Sequence, residues 1–263
     1  MQLTGGYTNY GQDIGILMLD TVFPRLVGDI GNARTFPFPV RYKVVRGALP
    51  SRVVEQNDSR LLAAFVEGAR ELAAEGVKAV TTSCGFLAVF QRELAAAVDI
   101  PVLTSSLLQV PAVEKTLGSA QKIVIVTANS ERLSPRHLAG AGIDSDRHII
   151  FGLEDKEEFY TTFVRQKTTL DVAALQNEME EAAREIRDRF PDAGALVLEC
   201  TNLPPFRRIF ARISGRPVYD ILSLIGSLAF ARGPADAADA WQNPAEPLPA
   251  GSLPADIYNT DKQ

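Results

Sequence analysis

The stretch Ala79-Val-Thr-Thr-Ser-Cys84 recurs later in the chain as Ala195-Leu-Val-Leu-Glu-Cys200, and these two copies hold the only two cysteines. After each cysteine come sixteen residues and then a Pro-Val pair, Pro101-Val102 in the first copy and Pro217-Val218 in the second. Each copy has the pattern of a buried strand that ends at cysteine, then a helix, then a second strand that opens with Pro-Val. The repeat predicts two similar units.

The rest of the chain alternates short apolar runs with amphipathic helical stretches, which favours parallel β-α units. The second half restarts at Lys122-Ile-Val-Ile-Val-Thr127, a run much like Ile14-Gly-Ile-Leu-Met-Leu19 in the first half. We therefore predict an α/β fold of two pseudo-symmetric lobes. Each lobe is a parallel sheet flanked by helices, and the active site lies in the cleft between them.

The lobe boundaries follow from this restart. We expect lobe 1 to take residues 1–110 and 220–240, because the apolar helix from Ile221 to Phe230 comes after lobe 2 has its complement of elements. Lobe 2 takes residues 111–219. Residues 241–263 are rich in proline and alanine with little periodicity, which is typical of a surface-draped or disordered tail.

Composition excludes several classes of protein. The 263 residues are 46% hydrophobic, which is enough for a real core, and the net charge of -5 comes from interspersed acidic and basic residues. This balance argues against nucleic acid or a membrane surface as a partner. We expect no secretory signal, because the first residues lack a basic stretch followed by an apolar one. No apolar run approaches the ~20 residues of a membrane span, and two cysteines suggest free thiols in a reducing cytoplasm. We expect a soluble cytoplasmic protein, whose exposed lobe faces could pair into a homo-oligomer.

The position of the cysteines indicates chemistry. In open parallel sheets, ligands bind outside the carboxyl ends of strands, and both Cys84 and Cys200 follow such an end. Thiols on opposite sides of a small substrate can remove a proton from one face and return one to the other, which is the reaction of a cofactor-independent racemase or epimerase. The competing interpretations are that both are small buried hydrophobic residues, or that they form a disulfide.

Neighbouring residues add binding groups. Each cysteine precedes a predicted helix, whose first N–H groups can lower a thiol pKa and bind a carboxylate or enolate oxygen. Arg25 in the first loop could clamp a substrate carboxylate. The other candidate side chains near the thiols comprise a glycine for close approach, an apolar wall, two hydrogen-bonding groups and an acid at the end of the first strand: Gly85, Phe86, Thr201, Asn202 and Asp20.

These motifs resemble the aspartate/glutamate racemase superfamily over residues 14–230. The resemblance lies in Thr82-Ser-Cys84-Gly-Phe, in Glu199-Cys200-Thr-Asn and in the strand Ile123-Val-Ile-Val-Thr-Ala-Asn129. It implies that the two cysteines act as an acid/base pair with neither pyridoxal phosphate nor metal. It also implies that Thr127, Asn129 and Thr201 lie near the substrate carboxylate or amine, and that Asp20 assists the thiols.

Two departures from that pattern bear on the substrate. Glutamate racemases carry Cys-Asn-Thr at the first site, where this chain has Cys84-Gly-Phe86, and they carry His where this chain has Asn202. We therefore expect a substrate other than glutamate, less charged or differently shaped.

The resulting prediction is an isomerase of amino-acid metabolism, a racemase or epimerase that acts without a cofactor on the α-carbon of a small carboxylate substrate. A decarboxylase or a cis–trans isomerase of the same fold is the nearest alternative. A two-lobed protein that binds a small molecule without turnover is the alternative from a different class. His137 and His148 fall in no ligand-spaced cluster, so we assign both to structure and predict no metal site.

Overall fold

Two four-stranded parallel sheets form the frame of the computed structural model, which describes residues 5–231. The first sheet has the strand order β2-β1-β3-β4 and the second has the order β6-β5-β7-β8, so both have one topology. Their strands are β1 (Ile14–Met18), β2 (Val40–Val44), β3 (Ala79–Thr82), β4 (Val102–Leu103), β5 (Lys122–Thr127), β6 (His148–Gly152), β7 (Ala193–Leu198) and β8 (Val218–Tyr219).

The predicted fold class is confirmed by this arrangement. In the first sheet Ile14 of β1 pairs with Ala79 of β3, and in the second Ile123 of β5 pairs with Ala195 of β7. The central strands are buried on both faces, which is why they read as continuous apolar runs rather than as alternating ones.

Helices cover both faces of the two sheets. They are α1 (Leu62–Ala74), α2 (Gln91–Ala96), α3 (Val110–Glu114), α4 (Pro135–Gly140), α5 (Glu157–Phe163), α6 (Val172–Arg189), α7 (Arg207–Ser214) and α8 (Ile221–Ala231). The longest, α6, begins at Asp171, whose side chain accepts a hydrogen bond from the Ala174 N–H, as an N-cap does. Its buried residues recur every three or four positions, at Leu175, Met179, Ala182, Ala183 and Ile186. No helix within residues 5–231 is long and apolar enough to cross a membrane.

The helix after each cysteine begins with 3₁₀ geometry, in Gly85–Phe90 before α2 and in Pro204–Phe206 before α7. A short π-helix, Ser51–Glu55, lies in the segment between β2 and α1 and is not predicted from the sequence.

The last described helix packs on the first sheet. Ile221 and Ile225 of α8 form a buried cluster with Ile14, Ile16 and Met18 of β1. The lobe boundaries themselves stay a prediction, and the predicted tail, residues 241–263, lies outside the described residues.

Contacts between the two lobes bring the carboxyl ends of both sheets together. The Ser106 hydroxyl donates a hydrogen bond to the Leu198 carbonyl at the end of β7, 2.7 Å away. Helix α4 packs on the 3₁₀ turn after Cys84, where a Cβ at Gly140 would overlap the Ala88 carbonyl. The strand ends that carry the two cysteines therefore face one space.

Candidate active site

A cavity between the lobes encloses about 420 Å³ of space, part of which is open to solvent. Both cysteines line it, together with residues that follow β1, β3 and β7 and with residues of the π-helical segment and of α5. The lining residues are Leu19, Thr21, Phe23, Arg25, Pro50, Val54, Ser83, Cys84, Gly85, Phe86, Ala128, Phe163, Val164, Glu199, Cys200, Thr201 and Asn202.

The Cys84 segment is fixed by hydrogen bonds to its own sheet. The Ser83 hydroxyl accepts a hydrogen bond from the Leu19 N–H (2.8 Å), which ties the end of β1 to the end of β3. Thr82 donates to the carbonyl of Thr104 (2.6 Å). Cys84 itself is extended, and Phe86 after it is buried.

Gly85 is needed for contact between the lobes. A Cβ at this position would overlap both the side chain and the backbone carbonyl of Glu199, which comes from the other sheet. Gly85 therefore allows a close approach, as expected. The group that approaches it is Glu199 of this chain and not a ligand.

The Cys200 segment is held by hydrogen bonds that cross the cleft. The Thr201 hydroxyl donates to the Ser83 carbonyl (2.6 Å), and the Asn202 amide donates to Asp29 Oδ2 (2.6 Å). The Cys200 thiol lies 3.5 Å from Asn202 Oδ1, within the range of a weak S–H hydrogen bond. Both Thr201 and Asn202 thus fix the thiol relative to the first lobe.

Arg25 lies in the cavity wall, a position that suits a carboxylate clamp. Its Nη1 donates to Asp29 Oδ1 (2.6 Å) and its Nη2 to Thr21 Oγ1 (3.0 Å), while its guanidinium lies over the Phe23 ring, 4.5 Å from the centroid. The side chain is mostly buried, so its orientation is fixed before any ligand binds.

Glu199 is the acidic group of the cavity. Its carboxyl is fully buried, and Oε2 accepts a hydrogen bond from the Thr127 hydroxyl (2.8 Å), whereas Oε1 has no hydrogen-bond partner. Burial raises the pKa of this carboxyl to about 7, against the smaller lowering effect of the Thr127 hydrogen bond. A carboxyl with such a pKa exchanges protons readily near neutral pH.

Both thiols are less acidic than the sequence suggests. Burial raises the pKa of Cys84 and of Cys200, and the nearby Glu199 carboxylate raises both further. The backbone N–H groups of Phe86 and Asn202 act in the opposite direction but are outweighed. The expected net lowering of the thiol pKa values is therefore not observed, because burial and the neighbouring acid outweigh the helix N-termini.

Three other candidate residues lie outside the cavity lining. Asp20 binds Arg46 Nη1 (3.1 Å) and the Gly47 N–H (3.0 Å), so it organises the turn after β2. Asn129 donates to the Tyr160 hydroxyl (3.3 Å). Thr127 reaches the site only through Glu199.

Sequence reasoning missed Glu199 and Asp29. The sequence does indicate a role for Glu199, because it is an acid that ends an otherwise apolar strand and directly precedes a cysteine. It indicates none for Asp29, because the role of Asp29 depends on Arg25 and Asn202 converging on it from different parts of the chain.

The curated relatives of this chain described below are dimethylsulfoniopropionate lyases. No protein-family model matches the chain. It is 31% identical over 233 residues to a dimethylsulfoniopropionate lyase of Durusdinium sp. clade D, covering 84% of this chain and 74% of that protein. It is 28% identical over 232 residues to dimethylsulfoniopropionate lyase 7 of Emiliania huxleyi, covering 81% of this chain and 65% of that protein. The chain thus spans about three quarters of the length of the first relative and about two thirds of the length of the second.

Solved structures with the same fold are much more distant in sequence. A Gly74Cys mutant of arylmalonate decarboxylase has a TM-score of 0.52 at 18% identity, covering 85% of this chain and 94% of that one. Glutamate racemase RacE1 of Bacillus anthracis has a TM-score of 0.51 at 15% identity, covering 86% of this chain and 84% of that one. The chain shares its fold with these two proteins, as the racemase-like motifs indicated.

The predicted isomerase activity is wrong, since the curated relatives are lyases. Matched cysteines at two strand ends follow from the repeated topology, so they identify the fold and do not select the reaction. The relatives agree better with the alternative prediction of a decarboxylase than with a racemase, because a decarboxylase is also a lyase. By its similarity to the Durusdinium protein, the chain belongs to the dimethylsulfoniopropionate lyase family.

Proposed function

We propose that this chain cleaves dimethylsulfoniopropionate into dimethyl sulfide and acrylate. The observation that carries the proposal is the 31% identity to a dimethylsulfoniopropionate lyase over 84% of the chain. The cavity supports it, because it holds a guanidinium for a carboxylate and thiols that can act as a base.

The substrate named by the relatives has a carboxylate at one end and a dimethylsulfonium cation at the other. In the elimination, a base removes a proton from the carbon next to the carboxylate. That C–H electron pair forms the carbon–carbon double bond of acrylate, and the carbon–sulfur bond breaks with its electron pair leaving on dimethyl sulfide. The net reaction releases one proton.

Arg25 is the group that binds the carboxylate in this proposal. A guanidinium has five N–H groups, and Asp29 and Thr21 each accept from one of its terminal nitrogens. The remaining N–H groups suit a two-point hydrogen bond to a carboxylate.

The sulfonium end fits against Phe86 in the cavity wall, because aromatic faces attract cations by about 0.5 kcal/mol when exposed and about 2 kcal/mol when desolvated. Phe163 lies on the Arg25 side, since its ring meets that of Phe23 with centroids 5.1 Å apart. The Glu199 carboxylate adds an attractive charge to the same cavity. A cation in this space also favours a thiolate over a thiol.

Cys200 is the base in this arrangement. A chain of hydrogen bonds runs from its thiol through Asn202 and Asp29 to Arg25, so it lies at the carboxylate end, where the acidic C–H is. Cys84, which precedes Phe86, then lies toward the leaving group. The two thiols are unequal because an elimination takes one proton and returns none to the substrate.

Both cysteines are free in the described structure, which suits a reducing compartment such as the cytoplasm. We propose that location for the enzyme.

The test is a direct assay of the purified protein. Dimethyl sulfide is measured by gas chromatography of the headspace and acrylate by proton NMR, and we expect equal amounts. Cys200→Ser should abolish both products. Gly226→Ala on α8, where an added Cβ would meet open space, is the control for a sound preparation. Absence of dimethyl sulfide from the wild-type protein, or release of a hydroxylated acid in place of acrylate, would refute the proposal.

A further inference from the structure

Glu199 is distinguished from the other buried polar groups of residues 5–231. Five buried side-chain atoms there have no hydrogen-bond partner, and they belong to His137, Arg147, His148, Glu199 and Asp220. Of these five residues, Glu199 is the one that lines the cavity. An unpaired buried carboxylate oxygen is costly, and its retention inside a site points to a function.

This oxygen lies where the two cysteine segments meet in the cavity wall. Glu199 directly precedes Cys200, and its Oε1 packs against Gly85, which directly follows Cys84. Thr127 holds Oε2 from β5, so the carboxyl is anchored by one oxygen while the other remains free. Charge on Glu199 affects the proton affinity of both sulfurs.

We propose that Glu199 is the proton relay of the proposed lyase reaction, accepting the thiol proton of Cys200 and releasing it to solvent. The inference rests on the proposed function, and it adds a residue that does not touch the substrate but acts through the base.

Protons balance in this scheme. The resting site holds a Cys200 thiol and a Glu199 carboxylate, and transfer of one proton gives a thiolate and a neutral carboxylic acid. The thiolate then removes the substrate proton, acrylate and dimethyl sulfide form, and the thiol is restored. The proton left on Glu199 passes to solvent, which accounts for the one proton that the elimination releases.

Electrostatics favours this route over direct loss of the thiol proton. The negative charge of Glu199 is one reason why the Cys200 pKa is raised, and that repulsion disappears when Glu199 accepts the proton. The incoming sulfonium further stabilises the thiolate. A carboxyl whose pKa is about 7 releases a proton at neutral pH far more readily than a buried thiol does.

Few other titratable groups face this carboxyl. The segments after β3 and β7 contribute the two thiols, and the loop after β1 contributes Asp29, which is paired with Arg25. Strand β5 contributes the Thr127 hydroxyl. His137 of α4 lies behind Phe86, and burial lowers its pKa to about 4, so it is neutral where the relay works.

The experiment compares the pH dependence of kcat for dimethyl sulfide release in four proteins. In the wild type we expect kcat to rise with pH to a plateau, with a midpoint near the Glu199 pKa of about 7.

Three variants test this assignment. Glu199→Gln should lower kcat about 10²-fold at pH 7.5 and move the rise of kcat to the alkaline pH at which the thiol ionises by itself. Thr127→Val should move the midpoint upward, because it removes the hydrogen bond that lowers the Glu199 pKa. Asp220→Asn changes a buried carboxyl outside the cavity and should leave the midpoint unchanged.

The possible results separate the two proposals. A wild-type protein that releases no dimethyl sulfide refutes the proposed function. An active wild type whose midpoint is unchanged in both Glu199→Gln and Thr127→Val refutes the relay alone. Faster turnover by Glu199→Gln at neutral pH also refutes it, because that result means the carboxylate only repels the thiolate.

Discussion

The two cysteine segments have one backbone pattern and different surroundings. Each follows a buried parallel strand and leads through a 3₁₀ turn into a helix. Along the chain Cys84 is followed by Gly85 and Phe86, which have no titratable side chain, and the acid that acts on this thiol comes from the other segment. Around Cys200 the neighbours are Glu199 and Asn202, a buried acid and an amide that contacts the thiol.

This difference explains why a symmetric fold does not require a symmetric reaction. Racemisation needs two groups that exchange the roles of acid and base, whereas elimination needs one base and an exit for one proton. The repeated topology supplies two equivalent positions, and the side chains beside them make the two sulfurs unequal. The comparison predicts unequal effects when each segment is changed.

The largest expected effect comes from removing each sulfur in turn. Cys200→Ser should lower kcat for dimethyl sulfide release by about 10³-fold or more, because it removes the proposed base. Cys84→Ser should lower it by about 10-fold, since that thiol lies on the side of the leaving group. Steady-state kinetics with both variants measures the ratio, and circular dichroism checks that each is folded. Equal losses would mean that the two segments act as equivalent partners.

Gly85→Ala tests the contact that joins the two segments. The added Cβ would overlap the Glu199 carbonyl and side chain, and we expect a loss of about 3 kcal/mol in the free energy of unfolding, at the upper end of overpacking costs. Gly226→Ala is the matched control, because nothing lies within 4 Å of its added Cβ and alanine favours a helix. Urea denaturation of both variants gives the values. If Gly85→Ala is as stable as the control, the close packing of the lobes is not required.

The Cys200 segment should also carry a pH-dependent stability cost. The pKa of Glu199 rises from 4.5 to about 7 on folding, so the native state is relatively most stable below pH 4.5 and loses this contribution as the pH rises through 7. Glu199→Gln removes the titration. The difference in the free energy of unfolding, Glu199→Gln minus wild type, should therefore increase by up to about 3 kcal/mol between pH 4.5 and pH 8.5. A constant difference across that range would show that the carboxyl titrates normally.

The sequence predicted the fold well because the evidence for it is local. Buried runs such as Lys122–Thr127 and the matched Cys84 and Cys200 patterns are readable along the chain, and the two sheets follow from them. Irregular segments such as the π-helix Ser51–Glu55 depend on tertiary contacts, which no local pattern of residues indicates.

The site was predicted only in part, for a physical reason. Residues adjacent to the cysteines, such as Phe86 and Asn202, line the cavity because chain connectivity places them there. Thr127 ends β5 and Asn129 follows it, yet their side chains bind Glu199 and Tyr160 and do not line the cavity. Phe163 enters from α5 of the second lobe, which only the assembled fold can reveal. The predicted reaction was wrong because matched cysteines are compatible with the fold of racemases and of lyases alike and do not select between the two reactions.

The smallest expected effect concerns the imidazole behind the Cys84 segment. His137 meets the Phe86 ring edge-on, with centroids 5.0 Å apart, and its Nδ1 accepts a hydrogen bond from the Ser134 N–H (3.1 Å). Burial lowers its pKa from 6.5 to about 4, so its contribution to stability is present above pH 6.5 and is lost as the pH falls through 4, opposite in sign to that of Glu199. His137→Asn keeps an acceptor for Ser134 but does not titrate. Between pH 7.5 and pH 5, the wild type should lose about 1 to 2 kcal/mol relative to this variant in urea denaturation. Glu199 titrates in both proteins and cancels from the difference, so equal pH slopes would show that His137 is protonated as easily in the folded chain as in the unfolded one.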